Sequence, residues 1–354
     1  LDPQDADKEF EELALAEARK PFYLDQGPML RTSIIRLTNQ EFIVLLTMHH
    51  IISDGWSVRV LIEEVAAFYS AYLDLEPAKI NSFNLDDLPI QYVDFAHWQR
   101  GWLQNEVLDQ QLDYWREQLA NRDGSTGNVE IYPDYPRPAF QTSNGASIWF
   151  EMPAGLTAKL VSLSKKTGVT LFMLLMAALK TLIFRYTGQI DISIGTPIAN
   201  RTRIETESLI GFILNTLVMR TDLSGNPSFE DLLQREREVA LGAYAHQDVP
   251  FEMVVEALQP ERDLSRSPFF QIIFDLQESP LTELMLPGLE IASLRVDSGT
   301  SKFDLALSME MHTDNQTTDK LAGFFNYNID LYNEQTISQL INHWIRLIEN
   351  AVDN

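Results

Sequence analysis

From Asn121 to Gln141 the chain crowds together Asp123-Gly124, Gly127, Pro133, Pro136 and Pro138. Each proline lacks an N–H and fixes its own backbone, so neither a helix nor a central strand can run through this stretch. The stretch reads as a linker between two blocks, residues 1–135 and 136–354.

Both blocks mix the two periodicities. In the first, Glu9 to Arg19 reads as a helix, and Leu30 to Leu37 and Glu41 to Met48 as strands joined by a tight turn at Thr38-Asn39. A helix follows from about Ser57 to Leu73, with Leu61, Val65, Phe68 and Tyr72 on one apolar stripe. Tyr92 to Leu119 reads as one further helical stretch. The second block opens with a strand from Ser147 to Met152. Thr170 to Tyr186, apolar nearly all round, reads as a buried helix. Ser228 and Asp231 make a capping pair for another. Late in the chain, Phe303 to Met311 alternates cleanly, with Asp304, Ser308 and Glu310 on the polar face; Phe270 to Leu276 and Phe324 to Leu331 share that period of two. The class is α/β or α+β with mixed sheets.

Composition narrows the chemistry. The chain has no cysteine, which excludes disulfides, thiolate metal sites and a cysteine nucleophile, and fits a reducing, cytoplasmic address. A net charge of −24 argues against nucleic acid as a partner. The apolar run from Val169 to Leu179 stops at Lys180, short of the ~20 residues a membrane span needs.

Where the strand ending at Met48 gives way to the next helix stands His49-His50-Ile51-Ile52-Ser53-Asp54-Gly55. A rigid strand end beside free helix N–H groups is a good position for catalysis. Adjacent strand residues point to opposite faces, so one histidine should face a cleft and the other should pack or orient its neighbour. A metal needs three or four convergent ligands. This segment offers one imidazole and Asp54, and His97, His246, His312 and His343 are scattered, so no metal is expected. On these residues alone the pair reads more readily as structural than as catalytic.

The segment resembles the His-His-x-x-x-Asp-Gly signature of the condensation domains of nonribosomal peptide synthetases. Further stretches resemble that family's later motifs, in its order. They are Tyr92-Val93-Asp94-Phe95-Ala96-His97-Trp98, Ile210 to Thr216 running on to Arg220, His246 to Glu252, and Arg262-Asp263-Leu264-Ser265-Arg266-Ser267-Pro268. The two motifs that precede the histidines in the family are absent, so the chain reads as an N-terminally truncated member. The resemblance implies two chloramphenicol-acetyltransferase-like lobes with mixed sheets in a V-shaped pseudodimer, the first lobe incomplete.

It also implies amide bond formation between a donor acyl or peptidyl thioester and an acceptor aminoacyl thioester. Both substrates ride on 4'-phosphopantetheine arms of donor and acceptor peptidyl carrier domains. An adjacent adenylation domain is expected in the same synthetase, with no cofactor bound by this domain itself, and the domain is expected to be monomeric. A thioester is already activated, so no covalent enzyme intermediate is needed. His50 is the candidate base or positioning group for the amine, with His49 beside it, and the Gly55 N–H is a candidate oxyanion donor. Asp54 is expected to pair with Arg201 and shape the loop. Asn215, Trp56 and Arg262 are candidates for the tunnel or the interface between lobes. His-His-Ile-Ile-Ser-Asp-Gly-Trp-Ser leans toward the subtype taking an L-configured donor. The alternatives are a non-catalytic carrier-docking or recruitment module of the same fold, and a freestanding acyltransferase forming esters or amides.

Overall fold

The computed structural model describes residues 3–74, 85–121, 126–260, 263–278, 286–292, 294, 296–312 and 320–353. The chain divides into two compact units. The first comprises residues 1–99, 201–214 and 283–299, and the second residues 100–200, 215–282 and 300–354. Neither unit is one continuous stretch, whereas the sequence suggested a single cut after residue 135.

The first unit opens with helix α1 (Pro3–Arg19). Strands β1 (Leu30–Arg36) and β2 (Phe42–Met48) pair antiparallel, from Leu30 opposite Met48 to Arg36 opposite Phe42. Arg31 ties this hairpin to α1 through Glu17 and lies 3.8 Å over the ring of Phe22. Helix α2 (Gly55–Asp74) follows. Its stripe forms, but Val65 and Tyr72 stay 55% and 56% exposed, because no described element of this unit packs over them. Helix α3 (Tyr92–Trp102) brings Phe95 into a small core with Leu209 and Ile213.

The helical stretch expected over Tyr92 to Leu119 is broken. Helix α4 (Asn105–Gln118) begins anew, and Asn105 sits at φ 50, a left-handed conformation that interrupts the ladder and that asparagine tolerates better than most residues.

The second unit is a six-stranded mixed sheet in the order β3-β8-β7-β6-β4-β5. Its strands are β3 (Gly145–Glu151), β4 (Asp191–Ile198), β5 (Asn215–Asp222), β6 (Ile272–Glu278), β7 (Leu305–His312) and β8 (Lys320–Asn328). The central β4, β6 and β7 run parallel and the flanking pairs antiparallel. The period of two dictates one buried face: Phe274 lies opposite Leu307, and Leu307 opposite Phe325, all fully buried. Helices α5 (Leu156–Thr167), α6 (Leu171–Thr187), α7 (Phe229–Ala245), α8 (Phe251–Leu258) and α9 (Glu334–Asp353) supply the covering core. Phe172 of α6 stacks on Phe274, and Trp344 of α9 meets Phe150 of β3 edge-on. The Ser228–Asp231 capping box opens α7, as its spacing predicts.

Three local expectations are corrected. The proline-rich stretch holds no helix or strand over 126–141, but it is no free linker. Val129 and Ile131 are buried in the second unit's core, the Tyr332 hydroxyl donates to the Ile131 carbonyl at 2.8 Å, and Asp134 N–H donates to the Leu331 carbonyl at 2.8 Å. Asp304, placed on a polar face, is 3% exposed and paired with Arg137, which also holds Glu130 at 2.7 Å. Strand β8 ends at Asn328, whose side-chain oxygen accepts from Asp330 N–H and turns the chain before Leu331.

Lys180, which ends the apolar run in the sequence, lies in the interior of α6 with no exposed surface. Its Nζ meets Glu236 Oε2 and Thr221 Oγ1, each at 2.8 Å. Burial pulls the ammonium below its usual range despite the carboxylate. Removing one partner of such a pair costs about 3–5 kcal/mol, whereas replacing both with apolar residues of similar volume is near neutral. Glu236→Ala should therefore lower stability far more than the Lys180→Met/Glu236→Leu double variant, as measured by urea denaturation.

Candidate active site

The histidine pair stands just beyond β2 rather than on it. His49 continues the ladder by donating its N–H to the Met29 carbonyl at 3.0 Å, and His50 starts a 3-10 turn, His50–Ile52. Strand alternation is therefore not what separates the two side chains. Hydrogen bonding does it instead.

His49 Nδ1 accepts the Ile51 N–H at 3.0 Å, capping the turn, so its neutral ring carries the proton on Nε2. His50 Nδ1 lies 2.9 Å from the Ser53 carbonyl oxygen, which can only accept. In the neutral ring the His50 proton is therefore on Nδ1, which leaves the lone pair on Nε2. As neutral rings the adjacent histidines are opposite tautomers, and His50 is the one with its lone pair on Nε2. The rings also have different neighbours: His49 meets Phe22 edge-on at 5.6 Å, and His50 meets Phe212 at 5.8 Å and 75°.

Beneath them, Asp54 is 2% exposed. Its Oδ1 accepts the Ser57 N–H at 2.8 Å and the Ser57 hydroxyl at 2.7 Å, which makes Asp54 the N-cap of α2. That cap starts the helix at Gly55, two residues earlier than the apolar pattern suggests. Asp54 Oδ2 accepts the N–H groups of Ile213 and Leu214, both at 3.1 Å. Arg201 Nη2 stands 3.1 Å and 3.3 Å from the two carboxylate oxygens and 3.2 Å from Ser57 Oγ, while its Nη1 donates to the carbonyls of Thr206 and of Leu209, the latter at 2.8 Å. Burial pushes the Asp54 carboxyl up, but the Ser57 hydroxyl and N–H, the Ile213 N–H and the Arg201 charge outweigh it and hold it below the usual carboxylate range.

Gly55 opens α2, where first-turn N–H groups lack a partner within the helix. Trp56 donates its indole N–H to the Glu207 carbonyl at 2.7 Å. Asn215 lies in the second unit and is buried; its Nδ2 donates to the Gln247 and Val249 carbonyls at 2.7 Å and 2.8 Å, and its Oδ1 accepts the Phe251 N–H at 3.0 Å. That is a brace between β5 and α8. Arg262 lies outside the described residues.

Three participants escaped the sequence reading: Ser57, Tyr92 and Phe212. Ser57 had a signal, since Asp-x-x-Ser before a helix is capping spacing. Tyr92 and Phe212 stood in motif-like stretches, but nothing there pairs them, because the hydrogen bond from the Tyr92 hydroxyl to the Phe212 carbonyl, 2.9 Å, spans 120 positions. Among the described residues, no group of three or more His, Asp or Glu converges as metal ligands would. No single described helix is long and apolar enough to cross a membrane.

Comparison with known proteins places this geometry. A family model described as "Condensation domain" matches residues 1–354. Malpibaldin synthetase of Mortierella alpina is 41% identical over 340 residues, covering 96% of this chain and 6% of that protein. Surfactin synthase subunit 1 of Bacillus subtilis (strain 168) is 35% identical over 350 residues, 99% of this chain and 9% of that protein. The chain thus spans a small fraction of these relatives. Among solved structures, the X-domain from teicoplanin biosynthesis superposes with a TM-score of 0.85 at 25% identity, over 98% of this chain and 77% of that one. A four-domain nonribosomal peptide synthetase, holo-AB3403, gives 0.84 at 24% identity, over 98% and 26%.

The Asp54 network predicts a stability signature. Because its folded pKa is depressed, the ionised carboxylate's contribution is complete above the unfolded value near 3.8 and is lost as pH falls through the folded value. Asp54→Ala strands Arg201 in a buried site and should cost about 3–5 kcal/mol. Thermal denaturation of Asp54→Ala between pH 3 and 7 should show a lower melting temperature at neutral pH and a flatter acid limb than wild type.

Proposed function

Because the chain belongs to the condensation-domain family, we propose that it forms an amide bond between a donor acyl or peptidyl thioester and an acceptor aminoacyl thioester. In this reading both substrates arrive on phosphopantetheine arms of peptidyl carrier domains, with an adenylation domain nearby in the same synthetase. The observation that carries it is the His50 Nδ1 bond to the Ser53 carbonyl, which in the neutral ring leaves the lone pair on Nε2, on a loop held from below by Asp54.

In this mechanism the acceptor amine, whose pKa lies near ~8, presents its neutral form to the thioester carbonyl. Nitrogen attacks carbon, and the carbonyl oxygen takes the negative charge of a tetrahedral intermediate. His50 Nε2 hydrogen-bonds the amine N–H, holds the lone pair in line and accepts the proton released as the C–N bond forms. In this reading the Gly55 N–H, at the positive end of α2, donates to the oxyanion. The intermediate collapses as the C–S bond breaks, and the pantetheine thiolate leaves and regains a proton. His49 acts through the backbone by capping the turn that carries His50. Asp54 and Arg201 hold the loop and do not touch substrate. The motif His-His-Ile-Ile-Ser-Asp-Gly-Trp-Ser favours an L-configured donor.

A net charge of −24 repels acidic carriers at long range, so carrier capture relies on tethering within one polypeptide, which raises the effective concentration without any attractive field.

His50→Ala should abolish dipeptidyl product on a loaded acceptor carrier, followed by intact-protein mass spectrometry, with the melting temperature nearly unchanged. A wild-type yield from that variant would refute the assignment.

A further inference from the structure

We infer that Phe212 is a positioning residue for His50: its ring fixes the plane in which the imidazole presents Nε2 to the acceptor amine. The inference rests on the amide-forming reading above and adds to it a residue that acts through His50.

The backbone around Phe212 is held on both sides. Gly211 N–H donates to Ser57 Oγ at 3.1 Å, the Phe212 carbonyl accepts from the Tyr92 hydroxyl at 2.9 Å, and the Ile213 and Leu214 N–H groups both donate to Asp54 Oδ2 at 3.1 Å. Gly211 is required for this arrangement, since a Cβ there would collide with the Tyr92 ring. Ile213 points into the small core and is 4% exposed, whereas Phe212 points the other way and is 39% exposed. A phenyl ring left that exposed is not part of the core. Among the described residues, the ring that meets it is the imidazole of His50, 5.8 Å away at 75°.

That contact supplies what the His50 hydrogen bond lacks. The bond from Nδ1 to the Ser53 carbonyl restrains the ring through one hydrogen bond on one edge. The Phe212 ring is a second, independent contact that narrows the remaining range of the imidazole. The same carboxylate that caps α2 also pins the segment bearing Phe212, so histidine and phenyl ring are registered to one another through Asp54. Edge-to-face aromatic pairs prefer this range of distance and angle.

The test is a single-turnover series in the polypeptide as it occurs, with loaded donor and varied acceptor, followed by rapid quench and mass spectrometry. The variants are Phe212→Ala, Phe212→Leu, Phe212→Tyr and His50→Ala. Phe212→Ala should react roughly tenfold more slowly at saturating acceptor, with half-saturation unchanged. Phe212→Leu, which keeps bulk but no ring, should stay slow, and Phe212→Tyr should return to within about twofold of wild type. Melting temperatures should match wild type across the Phe212 variants. A wild-type rate in Phe212→Ala with a slow His50→Ala overturns this inference and spares the assignment of His50. A loss confined to half-saturation makes Phe212 a substrate wall instead and also overturns it, as does a slow Phe212→Tyr or a loss that tracks the melting temperature. A fast His50→Ala overturns both readings together.

Discussion

A carboxylate taken out of water must be given hydrogen bonds in return, and the buried Asp54 receives them from Ser57 twice, from Arg201, and from the backbone of Ile213 and Leu214. Each donor constrains the chain, because each fixes a different piece of it. Ser57 starts helix α2, Arg201 gathers the carbonyls of its own loop, and the paired N–H groups hold the stretch that carries Phe212. The loop bearing the two histidines is thus defined by what lies below it. The histidines themselves add only local bonds: one to cap a turn, the other to fix a tautomer.

Much of this was legible in the sequence, and what was missed follows a rule. Elements whose cause is local came through: the hairpin of β1 and β2, the all-apolar α6 and the Ser228–Asp231 box on α7 each depend on neighbours within a few positions. Errors arose where distant residues decide. Asp304 looked solvent-facing because its partner Arg137 lies 167 positions away. The proline-rich stretch looked like a linker because composition says nothing about the partners that bury Val129. Lys180 looked like the end of an apolar run, yet it is satisfied inside by Glu236.

The site divides along the same line. Pairing of Asp54 with Arg201 was expected from family resemblance and is present as a contact of 3.1 Å. Separation of the two histidines was also expected, but for a reason that does not hold, since β2 ends at Met48 and the pair lies beyond it. Proton placement on the two rings, not strand pleat, tells them apart. Asn215, grouped with tunnel candidates, ties β5 to α8 in the second unit. Phe212 was invisible because nothing in Ile210 to Thr216 says which side chain points away from the core.

The interleaving of the first unit has a consequence for how the protein is made. A ribosome delivers residues in order, and Asp54 emerges well over a hundred residues before Arg201 and Leu214. Until the later segment is released, Ser57 is the one of these protein partners within reach of the carboxylate, water takes the place of the rest, and the histidine loop has no floor. Closure of the first unit therefore waits on synthesis well into the second, a high-contact-order step that exposes apolar surface meanwhile. For the same reason, a module exchange cut at a single point between the units would separate a carboxylate from the guanidinium that neutralises it. A graft that respects this fold must carry the 201–214 strip along with the histidines.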